Sequence, residues 1–338
     1  MAEQQNDRLT KDLFTPVEKQ PDQERISGES VSFWQDAFRQ LRKNKAALIG
    51  LILILLITIM SFVGPGMTEH TFRSQETLHA SLPPKVPVLE SVSWLPFDGV
   101  KNGVDVYAER NLDDVYYWFG TDTLGRDLWT RVWVGTQISL LIGVAAAILD
   151  LIIGVLYGAI SAYYGGRVDN IMQRIIEVLI GIPNLIVIIL LLLFLEPGIP
   201  AIILAMVITG WVSMARVVRG QILKLKQQEY ILASRTLGAS DGRLVSKHLF
   251  PNTLGQIIIT TMFTIPNAIF FEAFLSFIGL GVPAPNASLG SLVDSGFDSL
   301  QISPYMTVFP AVVISILLIC FNLLGDGLRD AIDPKMRD

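Results

Sequence analysis

The sequence predicts an all-α integral membrane protein with about six transmembrane helices, and three observations lead there. Hydrophobic residues make up 51% of the 338-residue chain and charged residues only 17%, against about 25% charged in ordinary globular chains. The apolar residues gather into six long runs, and mean hydropathy is +0.48. Lysines and arginines crowd beside alternate ends of those runs.

Taken in order, residues 1–30 are polar and read as a disordered cytoplasmic tail. Residues 31–63 hold a short amphipathic stretch and the first anchor. Phe33, Trp34, Ala37, Phe38 and Leu41 share a helical face, with Arg39, Arg42 and Lys43 elsewhere. Either an interfacial helix on the inner membrane surface or a plain extension of the first span accounts for that pattern. Because about 45 mostly polar residues precede Ala46–Val63, this run reads as a retained anchor and not a cleaved signal. Residues 64–137, with Pro83, Pro84, Pro87 and Pro96, read as a folded external loop, partly β. A span needs about 20 apolar residues, which places the remaining ones at Ile138–Tyr163, Ile175–Leu195, Ile199–Met214, Gly255–Gly279 and Met306–Leu324, within a core domain 138–338. Ile199–Met214 is the shortest. Pro183, Pro266 and Pro310 are expected to kink their helices.

Orientation follows from the cations. Arg39, Arg42, Lys43 and Lys45 stand at the entrance to the first span. Between Ala215 and Pro251 lie Arg216, Arg219, Lys224, Lys226, Arg235, Arg243 and Lys247, opposed only by Glu229 and Asp241. Glu196–Pro200 and Leu280–Tyr305 hold no Lys or Arg. Both termini and the 215–253 loop are therefore expected in the cytoplasm.

Several chemistries lack their residues. The one cysteine, Cys320, cannot form an intramolecular disulfide, and His70, His79 and His248 are not spaced as a metal site. A net charge of −5 gives no basis for a nucleic-acid partner. No Gly-Lys pair occurs, so a phosphate-cradling Walker A loop is missing, and so is an H-E-x-x-H pair. Asp150, Glu177 and Glu272 fall within or at the edges of apolar runs, where a charge costs at least about 2.5 kcal/mol. Each either lines a hydrated path or gate, or is held by a hydrogen bond to a neighbouring helix or subunit.

The 215–253 loop carries "LASRTLGASDGRLVSKHLFP", Leu232–Pro251. Ala233, Ser234 and Leu237 sit at helical spacing, Gly238 falls where a left-handed C-cap belongs, and Ser240 offers the next N-cap. Helix, glycine turn and helix follow in succession. Small residues before the glycine admit a close partner surface; a packed connector touching no partner satisfies the same pattern.

This stretch resembles the EAA-type motif of ABC importer permeases: Glu-Ala-Ala, three residues, Gly, nine residues, Ile-x-Leu-Pro. Aligned on Gly238, the spacing holds; Ala233, Gly238 and Pro251 match, while Leu232, Ser234, His248 and Phe250 depart. "FGTDTLGRDLWTRVWVGTQISL", "EAFLSFIGLGVPAPNASLG" and "FNLLGDGLRDAIDPK" are similar to the OppC/DppC-type subunits of the peptide-import branch, so the likeness covers nearly everything from Phe119 onward. The resemblance implies a type I importer permease fold in a bacterial plasma membrane. It also implies coupling to ATPases through Glu229, Ala233, Ser234, Arg235, Gly238, Ala239 and Ser240. Implied partners are membrane lipid, a second permease subunit (OppB/DppB type), two ATPase subunits (OppD and OppF type) that bind ATP and Mg, and an extracellular peptide-binding lipoprotein (OppA type). The chain itself would be no enzyme and hold no cofactor. Oligopeptide is the expected cargo, with dipeptide, nickel or glutathione as alternatives. An ion-coupled secondary transporter is the competing class, and it would need ionisable residues grouped across facing helices.

Overall fold

The computed structural model describes residues 33–87 and 96–332, so the expected tail at 1–30 lies outside the described residues. Helix α1 (Phe33–Lys43) leads through Asn44 into α2 (Lys45–Val63), where the Asn44 side chain accepts from the Ala47 amide at 3.1 Å as an N-cap. A mixed segment follows, with a hairpin of β1 (Val100–Lys101) and β2 (Val104–Asp105) and one turn of helix, α3 (Val106–Glu109). Next come α4 (Leu128–Tyr164), α5 (Gly166–Gly181), α6 (Asn184–Phe194) and α7 (Ile199–Lys226). Helices α8 (Glu229–Thr236) and α9 (Asp241–Arg243) then lead, through a widened turn at Leu244–Leu249, into α10 (Phe250–Leu275). The described chain closes with α11 (Leu289–Phe297) and α12 (Tyr305–Ile332).

Among the described residues, five stretches are long and apolar enough to cross a membrane: Lys45–Gly66, Leu128–Tyr164, Ile199–Lys226, Asp241–Leu280 and Tyr305–Ile332. The expected third span is corrected by the structure. Instead of one rod over Ile175–Leu195, α5 and α6 meet at 84°. Ile182 is extended and Pro183 opens the second limb, because proline has no amide to continue the ladder. The second span also begins earlier than Ile138. The carboxylate of Asp127 accepts from the Thr130 amide at 3.1 Å and starts α4 at Leu128, with Trp129, Thr130, Arg131 and Trp133 buried under the 64–127 segment. At 1.5 Å per residue α4 is about 55 Å long, more than the roughly 30 Å of bilayer hydrocarbon, so it is longer than one crossing requires.

The bundle thus has a loop end, with segment 64–127 and α11, and a basic end, with α1, α8 and the last turns of α4, α7 and α12. At the loop end Leu82, Tyr107 and Tyr117 make a small core. Asp122 accepts from the Leu124 and Arg126 amides and, at 2.6 Å, from the Arg126 guanidinium, so "GTDTLGRD" is a turn knitted by its own groups. On α1, Ala37 is buried and Leu41 packs on the main core, while Phe38 is exposed beneath the Arg42 guanidinium. Ile49, Ile52, Leu55, Ile59 and Phe62 of α2 are exposed, an apolar face suited to lipid.

Helix α4 is the central element and packs most extensively on α7. Gly154 and Gly158, one turn apart, face that contact. A Cβ on Gly154 would stand 2.6 Å from the Met214 Cβ, and one on Gly158 would strike the Ala215 carbonyl and stand 3.1 Å from the Arg219 amide. Small residues let membrane helices approach this closely. Gly158→Ala is therefore expected to destabilise the protein by about 1–3 kcal/mol, read as a lower Tm in detergent. Gly220→Ala, where a Cβ meets open space, is expected to be neutral or stabilising by up to about 1 kcal/mol.

Candidate functional site

Helix α8 ends in a hydrogen-bond pattern that only a left-handed residue closes. The Ala239 amide donates to the Ser234 carbonyl at 3.1 Å and the Gly238 amide to the Arg235 carbonyl at 3.0 Å, with Gly238 at φ +84°. This is a Schellman stop. A Cβ on Gly238 would touch nothing within 4 Å, so the backbone angle, and not space, calls for glycine. Ser240 has the extended backbone of an N-cap and its carbonyl accepts the first helical bond, from the Leu244 amide at 3.0 Å, but its hydroxyl makes no capping bond. Leu232, Ala233, Arg235 and Gly238 are exposed, while Ser234 and Ala239 are half-buried. Leu237, at the tip, is 88% exposed. It was no candidate on sequence grounds, although a lone leucine just before the glycine stop, among polar neighbours, is a readable sign.

The inward side of α8 is firmly held. Ile231 is buried in one cluster with Val155 and Ala162 of α4, Val218 and Ile222 of α7, and Ile257 of α10. Just before α8, the Lys226 ammonium donates to the Ala162 and Tyr163 carbonyls at 3.0 and 2.7 Å. Cations at a helix C-terminus satisfy its orphan carbonyls and complement its dipole. Beyond α8, Leu249 is buried in the same cluster as Val155 and Ala162 of α4. The leading flank of α8 is thus fastened to the last turn of α4 by Lys226, and the trailing flank is held to α4 by apolar packing. One layer deeper, Arg219 of α7 grips Asp169 of α5 through two bonds of 2.6 and 2.5 Å, and Ser161 of α4 donates to the same carboxylate at 2.5 Å. Bidentate pairs of this kind fix orientation as well as distance. Lys226→Met is expected to lower stability by about 1 kcal/mol and to speed amide exchange across residues 229–240 selectively.

The three acids are not brought together. Glu177 is half exposed on α5 and pairs with Arg174, one turn earlier on the same helix, at 2.6 Å. Glu272 on α10 has no exposed surface. Its carboxylate accepts from Ser139 of α4 at 3.1 Å and Ser276 at 2.8 Å, and Ser139 in turn accepts from the Leu289 amide at 3.1 Å. That arrangement joins α4, α10 and the start of α11, the hydrogen-bonded alternative for this residue. Asp150 is buried on α4, and its Oδ1 has no hydrogen-bond partner among the described residues. It borders a cleft of about 450 Å³ between α4, α6, α7, α10 and α12, together with Asn184, Ser213, Gln256, Thr260, Asn267 and Arg329. Among the described residues, Asp150 and Arg329 are the ionisable ones bordering that cleft, and Glu177 and Glu272 lie outside it.

Residues 154–338 match the family described as binding-protein-dependent transport system inner membrane component, and residues 32–84 match the N-terminal TM domain of oligopeptide transport permease C. The oligopeptide transport system permease protein OppC of Bacillus subtilis (strain 168) is 46% identical over 330 residues, covering 97% of this chain and 99% of that protein. The dipeptide transport system permease protein DppC of the same organism is 44% identical over 321 residues, covering 95% and 91%. The inward-facing MetNI methionine ABC transporter aligns with a TM-score of 0.49 at 19% identity, over 58% of this chain and 93% of that one. With its apolar helices, buried glycine seam and glycine-stopped α8, the chain belongs to the binding-protein-dependent inner-membrane transport family, in its OppC/DppC peptide-permease branch.

Proposed function

We propose that the chain is one of two permease subunits of an ATP-driven importer of oligopeptides, with dipeptides as the alternative cargo. The observation that carries this is the build of α8: an exposed apolar tip on a short helix that Lys226 bonds to α4 and that Ile231 and Leu249 pack against it. A partner can drive a conformational change only through contacts that differ between its two states. A stiff helix seated in a nucleotide-binding subunit meets that requirement, because displacing it displaces α4 and α7 with it. The basic end then faces the cytoplasm, as the cation distribution favours, and ATP with Mg is held by separate ATPase subunits. An extracellular binding protein delivers peptide at the loop end, and the second permease subunit closes the path that α4, α6, α7 and α10 border on one side only. The DppC relative, at 44% identity, is what keeps dipeptides as the second reading.

Uptake into vesicles carrying the assembled transporter, with ATP inside the nucleotide-binding compartment and a binding protein outside, tests this directly. Peptides of graded length decide the cargo. Gly238→Val forces a β-branched side chain into a left-handed backbone at a cost of about 1–2 kcal/mol. That cost corresponds to about a tenfold loss of coupled uptake with normal membrane levels, while Gly238→Asn retains most activity. Leu237→Asp is expected to abolish ATPase co-purification without lowering the Tm. Full uptake by Leu237→Asp contradicts the proposal.

A further inference from the structure

The cleft beside Asp150 sets one carboxylate among polar side chains, with the Asn184, Gln256 and Asn267 amides and the Arg329 guanidinium also bordering it. Asp150 is 94% buried by its 6% relative exposure, yet its Oδ1 is unbonded. The structure leaves room for this carboxylate, since a Cβ on Gly210 of α7 would run into it. Across the cleft, the Thr260 and Thr264 hydroxyls donate to the Gln256 and Thr260 carbonyls of their own helix at 2.8 and 3.0 Å. Their hydrogens are committed, so what they turn to the cleft is lone pairs. Arg329 borders the same cleft, but no ion pair joins it to Asp150 among the described residues. An ionisable side chain kept at membrane depth without a partner is a functional site by default.

Resting on the import reading above, we infer that this cleft receives the protonated N-terminal amine of the peptide in transit, with Asp150 as its counter-ion and the Thr260 and Thr264 oxygens as further acceptors. A primary ammonium has three donors and no acceptor, which matches the unbonded Asp150 oxygen and the two threonine oxygens. A peptide amine is also the one cation that every unmodified peptide carries, so such a site accepts cargo regardless of side chains.

The test uses the assembled transporter with Cys320→Ala and Asn267→Cys, which places a reporter thiol in the cleft. Cationic and anionic methanethiosulfonate reagents of equal size are compared. A free carboxylate at this range is expected to favour the cationic reagent by about tenfold or more over the Asp150→Asn background, and Asp150→Glu keeps the preference. If Asp150→Asn leaves the ratio unchanged, a basic side chain of the second subunit already neutralises the carboxylate and the inference fails. In the second arm, an alanine tripeptide, binding protein and ATP are expected to slow modification of the reporter severalfold, and the N-acetylated tripeptide is not. Equal protection by both peptides, or protection that survives Asp150→Asn, overturns the inference while peptide uptake stands. Should the wild-type transporter take up no peptide, the import reading fails, and the reagent ratio still decides whether the cleft selects cations.

Discussion

The Ala162 and Tyr163 carbonyls in the last turn of α4 are both bonded by the Lys226 ammonium. Beyond α8, Leu249 is buried in the same cluster as Val155 and Ala162 of α4. Lys226 precedes α8 and Leu249 follows it, so the C-terminal part of α4 holds the segment between them from both sides. Everything attributed to α8 depends on this fastening. Without it, an eight-residue helix would be marginal on its own and could not transmit displacement. With it, α8 is an extension of α4, and α4 in turn meets α7 at a separation that Gly154 and Gly158 permit. The Arg219–Asp169–Ser161 group extends the tie to α5.

Stiffness at the basic end contrasts with an unfinished surface at membrane depth. Backbone groups in lipid must be satisfied within the protein, and the helices here achieve that. Buried side chains follow the same rule at Glu272, where serines and the start of α11 complete a closed set of bonds. Asp150 breaks it. The two residues are both acids buried in apolar helices, yet one is a joint and the other faces a polar cleft. Both carry a carboxylate, and their neighbours set them apart.

That contrast explains what sequence could and could not reveal. Span number was legible because apolar runs of sufficient length have few other uses. Pro183 signalled a kink in the third run, but not its size, since hydropathy is unchanged by an 84° bend. The true start of α4 was masked because Trp129, Thr130 and Arg131 look like surface residues and are buried by a segment far away in the chain. Gly238 announced itself through the conformational demand of a helix stop. Lys226 did not, because its acceptors, Ala162 and Tyr163, belong to another helix, and a lysine near a membrane surface ordinarily reads as a topological signal. Ser240 stands at the N-cap position that its residue type suggests, but its hydroxyl makes no capping bond.

Spin labels on Thr236→Cys and on Tyr164→Cys, the exposed last residue of α4, in a Cys320→Ala background, report the α8-to-α4 relation by pulsed dipolar spectroscopy. Recorded in the assembled transporter with and without trapped ATP, a single narrow distance that does not change between the two states is expected while the ATPase subunits close. A distance that shifts or broadens when nucleotide binds would mean that α8 moves independently of α4, and the fastening would not be what carries motion into the membrane.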